Sequence, residues 1–244
     1  MLPDDLERQL GEVRDSTRRL LAALDSLTDA EARRPSLLPN WTNAHVLTHL
    51  ARNADGMAGA LDGALRGIAV PMYPEGPSGR DRDIQAGGNR GAVALVADLN
   101  EAAGCLDDTW SRMHTDAWQR PVVTPMGELP AWQLLRARWR EVEIHWIDVD
   151  LPPARDHTPA LWPVSFANHL VSHLVEAGLA SRLPADHTVD LVATDTGDQW
   201  SAGTGSHRTE VSGPAWALGC WLAGRSARVG DALTGDRPDI GPWR

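Results

Sequence analysis

Leu6, Leu10, Val13, Leu20 and Leu24 recur near the spacing of a helical turn, which predicts a helix over residues 4–25. "RRPSLLPNW" breaks that pattern with two prolines. "WTNAHVLTHLARNADGMAGALDGAL" restores it, with Thr42 as N-cap and an apolar stripe through Val46, Leu50, Met57, Leu61 and Leu65. Residues 67–90 are rich in Gly, Pro and charge and predict a long ordered loop, a feature that tends to be functional in a compact domain. Helical spacing returns over residues 91–114. "TPMGELPAWQLLRARWREVEIHWIDV" predicts a fourth long helix, entered around Pro130 as its first residue, with Leu135, Val142 and Val149 on one stripe. Four long helices with one long connection predict a four-helix bundle over residues 1–154.

The pattern changes after "DLPPARDHTPALWP". A shorter helix is expected around residues 163–182. "HTVDLVATDTGDQWSAGTGSHRTEVSG" then alternates and carries Gly and Asp turn signals, which predicts two or three antiparallel strands. "GPAWALGCWLAGR" closes with a helix that has Pro214 near its start. The expected fold class is therefore α+β: a helical bundle, then a small α+β domain over residues 155–244 with a short antiparallel sheet.

Composition narrows the function classes. Hydrophobic residues make up 42% of the 244, enough for a real core. The net charge of −10 argues against a nucleic-acid binder, which would present a basic face. It leaves room for an anionic small molecule, because a few arginines in a cleft set the local field. Cys105 and Cys220 form no CxxC and no framework, as in a reduced cytoplasmic protein. The charged opening "MLPDDLERQLGEV" has no apolar core, so no signal peptide is expected. No stretch approaches the length of a membrane span.

The candidate chemistry lies on two of the helices. Glu141 and His145 are four apart, Asp148 is three further on and Arg138 three before, all on roughly one face. His45 and His49 are also four apart. In a bundle, side chains of facing helices can converge on one ion, and two imidazoles with one carboxylate leave a position open, as in catalytic zinc sites. The same residues also suit a satisfied core pair, or a solvated ion pair of Glu141 with Arg138 or Arg140. Spacing does not say which histidine of the first pair would bind. The other would be a supporting or substrate-facing group.

Other motifs carry less. There is no GxSxG, P-loop or GxGxxG, and "GGNRG" at 87–91 reads as a turn because no strand precedes it. Cys220 sits in an apolar run and reads as a small buried hydrophobe. Arg80 and Arg82 in the predicted loop, and Arg225 after the last helix, suit either solvent exposure or bidentate capture of carboxylates.

"NWTNAHVLTHLARNAD", "VPMYPEGPSGRDRDI", "RWREVEIHWIDVDL" and "EVSGPAWALGCWLAGR" together resemble the mycothiol-dependent maleylpyruvate isomerases, whose N-terminal domain is a DinB-like four-helix bundle. The first and third motifs are shared with the wider DinB-like superfamily. "PMY" with its following Arg resembles the isomerases more narrowly. The resemblance spans nearly the whole chain. It implies one divalent metal, usually Zn2+, held by His49, Glu141 and His145, and mycothiol as the thiol cofactor. It places the family's C-terminal arginine on Arg225 and matches Arg80 to the Arg after "PMY". Both are expected to act in catalysis on a dicarboxylate. Tyr73, Arg82, His45 and Asp148 are expected around the same cleft.

The implied reaction is cis–trans isomerisation of maleylpyruvate to fumarylpyruvate in gentisate catabolism. A thiolate adds across the double bond, the resulting single bond rotates, and the thiolate leaves. The absence of a convincing protein nucleophile fits that chemistry. A monomeric cytoplasmic enzyme is expected, binding small molecules and neither nucleic acid nor membrane. Two other readings keep the scaffold: a different mycothiol-dependent S-transferase or detoxifying enzyme, and a non-enzymatic ligand-binding bundle. A closed site with His45 as fourth ligand would mark the last.

Overall fold

The computed structural model describes residues 4–152 and 157–243. The chain divides into two compact units, residues 1–156 and 157–244. The boundary expected after residue 154 falls on residues 153–156, outside the described residues.

The first unit runs α1 (Leu6–Leu24), a single turn α2 (Asp29–Ala32), α3 (Asn43–Arg66), α4 (Gly76–Gly87), α5 (Ala92–Arg112), a short α6 (Thr115–Gln119), a hairpin of β1 (Pro121–Thr124) and β2 (Gly127–Pro130), and α7 (Gln133–Asp148). The long helices pack as a four-membered ring, with α1 on α7 and α5 and with α3 on α5 and α7. Val13 and Leu20 of α1, Leu50 and Leu61 of α3, Leu99 of α5 and Val142 of α7 all meet in its core. A polar tie joins α1 to α7. Glu143 is fully buried on α7 and accepts hydrogen bonds from Ser16 and Arg19 of α1. A buried carboxylate is tolerated only with such partners.

α3 starts where its sequence says. Thr42 is extended at the N-cap position, and its backbone N–H donates to the His45 ring at Nδ1, 3.1 Å away, closing a capping box. It stops at Gly67, whose left-handed φ of 75° favours a residue without a side chain.

Two expectations fail in this unit. Residues 67–90 are not one loop, because α4 lies within them, with a proline in its first turn. Its buried face is Gly79, Ile84 and Gly87, so it carries almost no apolar periodicity to detect. A side chain at Gly87 would collide with Thr48 of α3, and that close approach explains the glycine. Pro130 is not the start of the fourth helix. It ends β2 opposite Pro121, with Gly127 at φ 111° in the turn, and the helix begins at Gln133. Apolar spacing does not separate a short ribbon from the first turn of a helix.

The second unit contains a 3-10 turn (Pro159–Leu161), α8 (Val164–Leu174), a wide turn (Val175–Leu179), α9 (Ala180–Arg182), β3 (His187–Ala193), β4 (Gln199–Gly203), β5 (His207–Gly213), α10 (Ala215–Leu222), a second 3-10 turn (Ser226–Arg228) and β6 (Thr234–Gly235). The helix expected over 163–182 is interrupted at Gly178, where φ is 106°. The sheet order is β4-β3-β5-β6. β3 is antiparallel to β4, as expected of a hairpin, and β5 is antiparallel to β6. The β3–β5 pair is parallel, with His187 opposite His207. Residues 204–206 therefore carry the chain across the start of β3. Gly205 passes so close to the Asp186 backbone that no Cβ fits there. Alternation reports which residues face inward, not the direction of the neighbouring strand. α10 packs on α8 and on the sheet, burying Leu218, Cys220 and Leu222.

Candidate metal centre

α3 and α7 bring three side chains together. His49 Nε2 lies 2.8 Å from Glu141 Oε2, and His145 Nε2 lies 3.3 Å from the same oxygen. The donor atoms of His49, Glu141 and His145 all fall within 4.8 Å of one another. The two imidazole rings meet edge to face at 4.6 Å, and Trp41 tilts against His49 at 5.7 Å. The His49 side chain is 6% exposed, His145 17% and Glu141 29%, so solvent reaches the cluster mainly at Glu141.

Electrostatics bind the three tightly. Burial lowers the pKa of His49 and outweighs the attraction of Glu141. Burial also disfavours a charged His145, but its hydrogen bonds to Asp148 and Glu141 overcome this and push its pKa up to about 9. Burial would raise Glu141, yet the two histidines hold it well below the ordinary carboxylate range. An anionic carboxylate between two imidazoles is the donor set of a divalent transition metal. The residues therefore fit such an ion.

Asp148 lies at the end of α7, fully buried, and accepts the His145 Nδ1 proton at 2.9 Å. Arg80 on α4 reaches His49 Nδ1 with Nη2 at 3.0 Å, pairs with Asp81 at 2.9 Å, and lies over the Tyr73 ring at 5.7 Å. Tyr73 is held in the strap between α3 and α4, whose Met72 N–H donates to Val123 of β1. The strap runs against α3 at Gly56, where a Cβ would come within 2.7 Å of the Met72 carbonyl oxygen.

Other expected residues lie elsewhere. Arg82 is exposed and pairs with Glu75. His45 serves the α3 cap and packs against Gly88, and among the described residues it is not part of the cluster. The solvated Glu141–Arg138 pair does not form. Arg138 is buried and donates instead to the Leu50 carbonyl and to Asn53 Oδ1, each at 2.8 Å. Asn53 and Trp41 escaped the sequence reading, although both lie in "NWTNAHVLTHLARNAD". Arg225 belongs to the second unit, just past α10, where Nη1 donates to the Ala223 carbonyl at 2.5 Å. Both cysteines are free thiols, Cys220 buried and Cys105 exposed. Among the described residues no helix is long and apolar enough to cross a membrane.

Fold and cluster define a class: a four-helix bundle with two histidines and a glutamate converging between facing helices. The mycothiol maleylpyruvate isomerase N-terminal domain model matches residues 13–150, more than half the chain, and the chain belongs to that family. Two crystal structures are similar over 99% of this chain and 98% of theirs, each with a TM-score of 0.87 and 27% identity. One is a mycothiol-dependent maleylpyruvate isomerase, and the other is a histidine-to-alanine mutant of it. No curated protein sequence matches the chain.

Proposed function

We propose that the protein catalyses mycothiol-dependent cis–trans isomerisation of maleylpyruvate to fumarylpyruvate, with Zn2+ or another divalent metal held by His49, Glu141 and His145. The observation that carries this reading is the convergence of those three donors in a chain similar from end to end to such an isomerase. Mycothiol supplies a thiolate that adds to one alkene carbon and later leaves it, so the bond between is single while it rotates. A divalent ion held by these residues would supply the Lewis acidity that keeps a thiol ionised near neutral pH.

The chain does the rest. His49, Glu141 and His145 hold the ion. Asp148 fixes the His145 ring with Nε2 toward Glu141, the orientation in which it would ligate an ion. On addition, the alkene electron pair moves onto the conjugated carbonyl oxygen, and a guanidinium stabilises that charge. Arg80 reaches the cluster through His49 Nδ1 and is proposed for that role, as is Arg225. The electron pair returns as the C–S bond breaks, so there is no net redox change and no proton is consumed. Cytoplasmic location and small-molecule partners fit a chain with two free thiols. The test is an ultraviolet assay of zinc-loaded protein with maleylpyruvate. Isomerisation is expected with mycothiol and not without it, and no isomerisation with metal and thiol present would refute the reading.

A further inference from the structure

Asn53 of α3 links two side chains that the reaction above does not use. Arg138 of α7 is buried, and its Nη1 donates to Asn53 Oδ1 and to the Leu50 carbonyl, each at 2.8 Å. Arginine carries donors only, so the Asn53 oxygen faces Arg138 and its NH2 is turned away. That NH2 donates to the Tyr73 hydroxyl oxygen. The chain of hydrogen bonds therefore has one direction, from Arg138 through Asn53 to Tyr73, and the phenol O–H is its last donor. Arg138 is only 1% exposed, and among the described residues it forms no ion pair, a costly state for a buried cation. A positive charge at the head of such a chain strengthens each donor after it. Tyr73 borders the cluster. Arg80 lies over its ring at 5.7 Å and reaches His49 Nδ1 at 3.0 Å, and the charge of Glu141 acts on the phenol.

We propose that the Tyr73 hydroxyl donates a hydrogen bond to the oxyanion formed when the thiolate adds to the substrate, and that Asn53 and Arg138 are positioning residues that aim it. The inference rests on the isomerase reading above. The alkene electron pair sits on the conjugated oxygen while the C–S bond exists and returns as that bond breaks. The phenol keeps its proton throughout. A donor held in place beforehand stabilises charge that develops only during the reaction.

The test is steady-state kinetics of zinc-loaded wild type, Tyr73→Phe, Asn53→Asp and the double variant with maleylpyruvate and mycothiol. Phe keeps the ring and loses the donor. Tyr73→Phe is expected to lower kcat about 100-fold, the effect of removing one oxyanion donor. KM and zinc content are expected to change little, because the bond is made only in the transition state. Asn53→Asp keeps an oxygen for Arg138 and removes the N–H given to Tyr73, so the phenol turns its hydrogen to the new carboxylate. It is expected to lower kcat in the wild-type background and to have no further effect in Tyr73→Phe. Fully multiplying losses would overturn the positioning role. Wild-type kcat in Tyr73→Phe would overturn the inference and leave the isomerase reading standing, and no isomerisation by the zinc-loaded wild type would overturn both. Phe fits the same space, so Tyr73→Phe decides the inference even where Asn53→Asp fails to fold. Tyr73 is the only tyrosine in the chain, so protein carrying tyrosine labelled with 13C at Cζ gives one NMR signal. That signal is expected to move in Asn53→Asp, and an unmoved signal would overturn the Asn53–Tyr73 link.

Discussion

His145 donates through Nδ1 to the buried Asp148, three residues on in the same helix, across 2.9 Å. That bond leaves Nε2 facing Glu141 and fixes the ring in one orientation. A carboxylate behind a ligating imidazole typically changes metal affinity by about 10–100-fold. Asp148→Asn is therefore expected to weaken zinc binding by about that factor while the fold persists, because the amide keeps the shape. Chelator competition measures it, and wild-type affinity in the variant would remove Asp148 from the site.

Deleting a ligand has a larger effect. His49→Ala, Glu141→Ala and His145→Ala are each expected to lose stoichiometric zinc and activity together. Glu141→Ala also leaves two imidazoles without the carboxylate both of them contact. Metal analysis of the three purified variants checks this, and wild-type zinc content in all three would refute the assignment.

The long helices and the Glu141–His145 pair were legible because each depends on residues a turn or two apart, whereas the place of His49 beside them came from the family resemblance. The stripe from Val46 to Leu65 reports a buried face, and ExxxH reports a shared side of α7. The roles of His45 and His49 were not separable that way. Both occupy one face, and the choice turns on position along α3: His45 is in the first turn and closes the cap, while His49 is a turn deeper, opposite Glu141. α4 was invisible because glycines make its packing face. The parallel β3–β5 pair was invisible because strand direction leaves no mark on alternation.

The cluster also predicts how metal-free stability depends on pH. The His145 pKa is raised to about 9 in the folded protein, against an ordinary value of 6.5. Its stabilisation is then fully present below pH 6.5 and is lost as pH rises through about 9. His49 acts in the opposite direction: its pKa is lowered by burial, so its contribution is lost as pH falls below its unfolded value. The Tm of the metal-free protein is expected to fall from pH 6.5 toward 9, and His145→Gln is expected to flatten that fall. Parallel Tm profiles for the two proteins would contradict the coupling.

Arg225 tests the second unit's part in the chemistry. Its guanidinium donates to the Ala223 carbonyl. Arg225→Ala is expected to keep zinc at wild-type content and to lose most turnover. Unchanged turnover would remove Arg225 from the mechanism, and lost zinc would point to a folding defect instead.

Gly56 separates metal binding from substrate handling within the first unit. A Cβ there would lie 2.7 Å from the Met72 carbonyl oxygen and 3.2 Å from Tyr73 Cε1, so the strap must move. Alanine improves helix propensity by about 1 kcal/mol. Overpacking against backbone costs about 1–3 kcal/mol. The two nearly offset, so Gly56→Ala is expected to lose at most about 2 kcal/mol of stability by those same magnitudes. Function is hit harder. Displacing Tyr73 shifts the Arg80 guanidinium above it, and a misplacement of about 1 Å in a positioning group can cost on the order of 100-fold in rate. The ligands lie on α3 and α7 and not on the strap, so zinc affinity is expected to change little. Metal titration and steady-state kinetics on the one variant check both halves. A variant that loses zinc in proportion to activity would show that the strap supports the metal ligands themselves.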